Sequence, residues 1–224
     1  MAGALPDQLE NTELTGVVLS REELSAHRMA DCQATAWRLI ACGLNEWEIV
    51  DGNLEQLCAW DSRLTNWHVD HCLTDHTTFQ QCTLEHWRVH SSFFNNTHLE
   101  SCQMTDLAAE LSSFGQSTFS ACRLHGNRLS EVAMIGTCWY DTELIDEQYN
   151  FVRFPAAVFI NTQFRGCLLK KAIFRRATFI NCRFESCDLT DAVFHNAFFT
   201  DTEFIDTSLE PVANMEGVTG LELS

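Results

Sequence analysis

Every fifth residue of this chain is bulky and apolar. Between residues 154 and 209 the series reads Phe154, Phe159, Phe164, Leu169, Phe174, Phe179, Phe184, Leu189, Phe194, Phe199, Phe204, Leu209. Two places before each stands a smaller side chain, such as Ala157, Cys167, Ala172, Cys182 or Ala192, so the unit is small-x-large-x-x. On an α-helix, residues five apart are rotated by about 140° and would scatter around the axis. In a continuous strand, odd spacing would send alternate members to opposite faces. A five-residue period is satisfied only if each unit turns a corner and presents the same two side chains inward.

The register extends back to Leu9, and from Leu9 to Leu209 only Thr74 among these sites is not apolar. All Phe except Phe93, Phe151 and Phe198 fall on the large sites, and all Cys except Cys58 and Cys138 on the small ones. An internal repeat of this regularity decides the architecture before any other feature.

With these units the chain resembles the pentapeptide-repeat family, whose members wind into a right-handed quadrilateral β-helix with five residues per side. The resemblance covers residues 30–210. It implies an all-β solenoid, although Cys, Thr and Trp often stand where the family carries Ala. Four units per coil also follow from the residues: Trp47, Trp67 and Trp87 recur every twenty positions, as do Cys82, Cys102 and Cys122. Residues twenty apart should therefore lie one rung apart, about 4.8 Å. Where the small site is enlarged the large one shrinks, as in Trp67 with Val69 and Leu57 with Ala59. This is volume compensation inside a packed interior, and it reads the tryptophans as core.

Three segments are expected. Residues 1–30 form an N-terminal cap, in which Ser20 and Glu23 match a capping box and fit a short helix near 21–30; an irregular first coil is the alternative. Residues 31–210 form the β-helix. Asn127 and Glu147 occupy inward sites on successive rungs, so a distorted coil or small bulge is expected across 145–150. Pro211 ends the pattern, leaving residues 211–224 as a C-terminal cap or dimerisation tail; a homodimer through that end is what the resemblance implies.

No apolar run approaches bilayer length, and the N-terminus lacks a basic-then-apolar pattern. The 11 Cys follow the repeat and read as small buried hydrophobes of a reducing compartment. The expectation is a cytoplasmic protein without membrane contact.

Chemical motifs are sparse. There is no phosphate loop, HExxH or nucleophile elbow, and a filled rod offers no cleft, so the chain reads as a non-enzyme with no cofactor. His68, His71, His76, His86, His90 and His98 crowd one region. On a twenty-residue coil His90 falls between Asp70 and Glu110, and His71 beside Asp51, an arrangement able to hold a surface cation. The simpler reading, a solvated corner of His–carboxylate pairs, assigns no metal site.

What remains is the outer wall. The net charge is −17, nearly all of it in residues 1–150, and folding the numbering onto a coil gathers it on one half. Asp31, Asp51, Asp70, Glu110, Glu131 and Asp191 form a candidate acidic ridge. The opposite half holds a candidate protein-binding stripe: Trp60, Phe93, Tyr140, Ile160, Ile173, Ile180, Val193 and Phe198, with Leu73 and Ile135 nearby. Direct nucleic-acid binding is excluded because this charge repels phosphates; the cluster Arg165, Lys170, Lys171, Arg175, Arg176, Arg183 is a local, solubilising exception.

Two functions follow from the resemblance. Pentapeptide-repeat modules of similar irregular kind accompany bacterial secretion machinery, notably type VI systems, which implies a protein-binding scaffold or adaptor. Other members mimic duplex DNA and bind DNA gyrase or topoisomerase, protecting or inhibiting it. The acidic part carries roughly one charge per 2–2.5 Å of rod, against about one per 1.7 Å for duplex DNA. Those members also carry projecting loops, for which the unbroken register leaves no room, so the scaffold reading ranks first.

Overall fold

The structure, a computed structural model, describes residues 5–221. The chain winds as a four-sided β-helix, one side per five-residue unit. Three sides are parallel sheets of eight, ten and ten strands, each strand three residues long. The fourth is a ladder of isolated bridges running Glu13, Gln33, Asn53, Leu73, Phe93, Ser113, Ala133, Arg153, Ile173, Val193 and on to Asn214. Partners stand twenty residues apart, as in Val69↔Val89 and Phe159↔Phe179. After Leu209 the coil lengthens by one residue, so Phe198 bridges Thr219.

Each corner depends on a backbone conformation that the hydrophobic pattern does not display. Every fifth residue from Asn11 to Asp206 has φ between +46° and +72°, the left-handed region. Asp, Asn and Gly recur there, including Asp31, Asp51, Asn161, Gly136 and Gly166, because their side chains tolerate that conformation best. In the Phe-rich coils several corners close as tight turns, with the Ala172 and Ala177 amides donating to the Leu169 and Phe174 carbonyls at 3.1 and 3.0 Å.

Inside, identical side chains stack rung on rung. Trp47, Trp67 and Trp87 form one pile, with ring centres 5.6 and 4.9 Å apart, and His27 continues it at 5.0 Å from Trp47. Phe159, Phe179 and Phe199 form another at 4.9 Å spacing and near-parallel planes. These separations are the rung height of a hydrogen-bonded sheet.

The small site has a chemical rule as well as a size. Where it carries a donor, the side chain commonly donates to the carbonyl 23 residues earlier: Cys72 Sγ to Ile49, Cys102 Sγ to Phe79, Thr162 Oγ1 to Trp139, Trp67 and Trp87 Nε1 to Leu44 and Leu64. Cys, Thr, Ser and Trp share a short-range donor, which explains why they replace one another despite their different volumes. Thr74, the polar exception among the large sites, is buried with its hydroxyl on the Phe93 carbonyl at 2.6 Å.

Two expectations are corrected. There is no helix near 21–30: Glu23–Ser25 and Arg28–Ala30 are strands paired to the next coil, because the five-residue register outweighs a four-residue capping signal. Residues 1–4 of the expected cap and 222–224 of the tail lie outside the described residues. Nor is there a bulge at 145–150. Glu143–Ile145 and Gln148–Asn150 are ordinary strands in unbroken register, since Glu147 is accommodated by accepting from Asn127. Residues 211–221 continue over the last coil, where Val212, Met215, Val218 and Leu221 pack against the core.

Candidate protein-binding surface

The expected apolar stripe divides into two patches. Tyr140, Ile160 and Ile180 are consecutive rungs of one column and form a continuous half-buried strip. Trp60, in the same column, is separated from them by Gln80, Glu100 and Ser120, and its Nε1 donates to Gln80 Oε1 at 2.7 Å. Phe198, exposed, lies near the C-terminal end. Phe93, Ile173 and Val193 belong to the bridge ladder, where Ser113, Ala133 and Arg153 come between them.

That interruption makes a groove. Ser113 and Ala133 form a low floor, and Phe93, Leu111, Phe151 and Ile173 stand around it, enclosing about 610 Å³. Phe93, Leu111 and Phe151 are 48, 52 and 51% exposed. Glu131, Arg153 and Lys171 rim the groove, and the Lys171 ammonium sits 5.0 Å above the Phe151 ring.

Leu111 and Phe151 are absent from the sequence-derived stripe. They occupy corner positions with φ of 50° and 58°, and are the two large apolar residues in the left-handed series from Asn11 to Asp206. Bulky side chains are rare in that conformation. The signal available in the sequence was a large apolar residue at a corner position, which every other corner from Asn11 to Asp206 fills with a small or polar residue.

The same two residues break the acidic ridge. Its corner column reads Asp31, Asp51, His71, Ser91, Leu111, Glu131, Phe151, Lys171, Asp191. Asp70 and Glu110 lie in the adjacent strand column with His90 between them. The ridge is thus a set of separated carboxylates. Four of its six acids hold left-handed corners, so backbone demand accounts for part of the acidic character.

The histidines also rearrange. Asp70 Oδ1 lies 2.8 Å from both His90 Nδ1 and His71 Nδ1, so His71 turns to Asp70 rather than to Asp51. Partial desolvation raises the Asp70 carboxyl, but bonds from His90 and the facing His71 outweigh it and hold it below its ordinary value.

Deeper in, Glu147 is fully buried. Desolvation is the main cause that pushes its carboxyl up to about 8, against the stabilising bonds it accepts. Protonation suits its position: neighbouring small-site side chains donate to interior carbonyls, and a carboxylate has no proton to give. Burial likewise pushes the Cys72 and Cys182 thiols up to about 11.

Parallel strands of three residues, one bend per five residues and an interior of stacked identical rings define a β-solenoid with its working surface on the outside. A family model for pentapeptide repeats, in nine copies, matches residues 159–219, and the same coil carries through the residues before it. Over residues 159–219 the chain is similar to the pentapeptide-repeat family, and its coil has the fold of that family's β-helix. Among solved structures, a trypsin-treated variant of QnrB1, a plasmid-mediated fluoroquinolone resistance protein, is 13% identical over 95% of this chain and 90% of that one, with a TM-score of 0.55. HetL, a pentapeptide repeat protein involved in heterocyst differentiation regulation from the cyanobacterium Nostoc sp. strain PCC 7120, is 14% identical over 93% and 87%, with a TM-score of 0.39. No curated protein matches the chain in sequence.

Proposed function

We propose that this protein is a non-catalytic scaffold or adaptor, of the kind that accompanies bacterial type VI secretion machinery, and that it docks a protein partner in the Phe93–Leu111–Phe151–Ile173 groove. The observation that carries the reading is the placement of Leu111 and Phe151, two rungs apart in one column, at left-handed corners that otherwise hold small or polar residues. Local strain held at an exposed apolar site marks a contact surface more often than a packing accident. Large aromatic and aliphatic side chains around a shallow floor, rimmed by charge, match the anatomy of an interface centre.

A second reading, an acidic duplex mimic acting on DNA gyrase or topoisomerase, is favoured by the net charge of −17. Against it stand the ridge's interruptions at Leu111, Phe151 and Lys171. The two separate in one experiment, with immobilised wild-type protein and a Phe93→Asp/Phe151→Asp variant offered to lysate of the source cells while gyrase supercoiling is assayed in parallel. The scaffold reading expects a prey enriched by wild type and lost with the variant, and supercoiling untouched. Salt-sensitive inhibition or protection of gyrase by both forms would replace it with the mimic.

A further inference from the structure

We propose that Asp70, His71 and His90 form a binding site for a divalent transition-metal cation, with Zn2+ the best matched. One ligand atom from each residue lies within 4.8 Å of the other two, and this is the one such trio among the described residues. The solenoid builds it from three different constraints. Asp70 and His90 are register partners on adjacent strands, which sets their separation at one rung. His71 is the left-handed corner residue directly after Asp70, with φ of 52°, which swings its ring back over the strand edge. The backbone beneath is tied on both sides, the Asp51 amide donating to the Asp70 carbonyl at 3.0 Å and the His71 amide to the His90 carbonyl at 3.1 Å.

Both Nδ1 atoms already converge on the same carboxylate oxygen at 2.8 Å, and the imidazole planes stand at 71° with centres 5.5 Å apart. When the rings take the tautomer with the proton on Nε2, two nitrogen lone pairs and one carboxylate oxygen point at a common centre. Zn2+ is bound by imidazole nitrogen at about 2.0–2.1 Å and carboxylate oxygen at about 2.0–2.2 Å, so sub-ångström rotations of three exposed or half-buried side chains suffice. Water completes the coordination. No net proton leaves neutral rings on this change of tautomer. Nitrogen–oxygen donor sets of this kind favour Zn2+ over Mg2+ or Ca2+. The outer His90 Nε2 lies 3.5 Å from Ser91 Oγ, and Glu110, paired in register with His90, adds favourable charge nearby, as does Asp51 one rung from His71.

Other His–carboxylate pairs on the rod provide the control. His86 with Asp106 and His125 with Asp146 are single pairs at 3.5 Å, with one imidazole each. Titration of the intact protein with ZnCl2 by calorimetry at pH 7.5 is expected to give one site per chain. His90→Ala and the double variant His71→Asn/His90→Ala should weaken it more than about tenfold, His86→Ala should leave it unchanged, and all forms should keep the wild-type circular dichroism. Asn at position 71 retains tolerance for the left-handed corner. Absence of Zn2+ binding in the wild type, equal affinity in the double variant, or equal weakening by His86→Ala would overturn the assignment.

Discussion

Asn127 and Glu147 are successive rungs of one interior column, joined by Asn127 Nδ2 donating to Glu147 Oε1 at 3.1 Å. The same column carries His27, Trp47, Trp67 and Trp87 on one side and Cys167, Cys187 and Thr207 on the other. A hydrogen-bonded but uncharged step thus bridges two apolar stacks, and Glu147 must stay protonated to avoid the cost of a buried charge.

This makes stability depend on pH in a definite direction. The folded-state value of about 8 lies above the ordinary 4.5, so the unfolded chain ionises first. The contribution is fully present below about pH 4.5, declines as pH rises and is lost through about pH 8. At about 1.4 kcal/mol per pH unit of difference, the window holds roughly 5 kcal/mol. Glu147→Gln keeps the acceptor for Asn127 and should flatten the loss, melting above wild type at pH 9. Parallel curves of melting temperature against pH for the two proteins would rule this out.

Two tryptophans in one stack should differ in their response to the same change. Trp67 Nε1 donates to the Leu44 carbonyl at 3.2 Å, whereas the buried Trp47 Nε1 has no partner. Trp67→Phe leaves a buried carbonyl short of a donor, at a cost of about 1–3 kcal/mol beyond lost packing. Trp47→Phe removes an unpaired group instead. Urea midpoints should therefore fall further for Trp67→Phe, with unchanged slopes.

The groove offers a separation of stability from binding. Leu111→Asn relieves a left-handed corner and should raise unfolding free energy by about 0.5–1 kcal/mol. Phe151→Asn relieves a similar strain but forfeits the Lys171 contact, worth about 0.5–1 kcal/mol at an exposed site, and should come out near neutral. Both should weaken partner capture. A variant that loses stability and keeps its partner would count against a functional groove.

Thiol accessibility tests the packing of the rod. Cys58 and Cys138 are half-buried and the other nine cysteines are buried. Brief maleimide labelling of the native protein, mapped by mass spectrometry, should modify those two and spare the rest until denaturant is added. Rapid labelling of Cys82, Cys102 or Cys122 would mean that the coils open.

Much of this was legible from residues alone. The Phe series, the tryptophan recurrence and the clustering of Cys on the small sites each implied an inward-facing position, because hydrophobic burial acts at every rung independently and repeats with the coil. The donor rule was not legible: Cys, Thr and Trp look unrelated until the interior carbonyl they share is in place. His71 could be assigned a column but not a partner, since rung spacing says nothing of which way a side chain turns at a left-handed corner.

The five-residue spacing of apolar side chains by itself determined the solenoid and its filled interior, because burying one side chain per unit makes each unit turn a corner. The three-dimensional winding alone decided which outward residues meet. Neighbours across rungs are twenty residues apart and adjoining corners five, so a groove or a three-donor cluster exists only where backbone turns and side-chain torsions bring those separate series together.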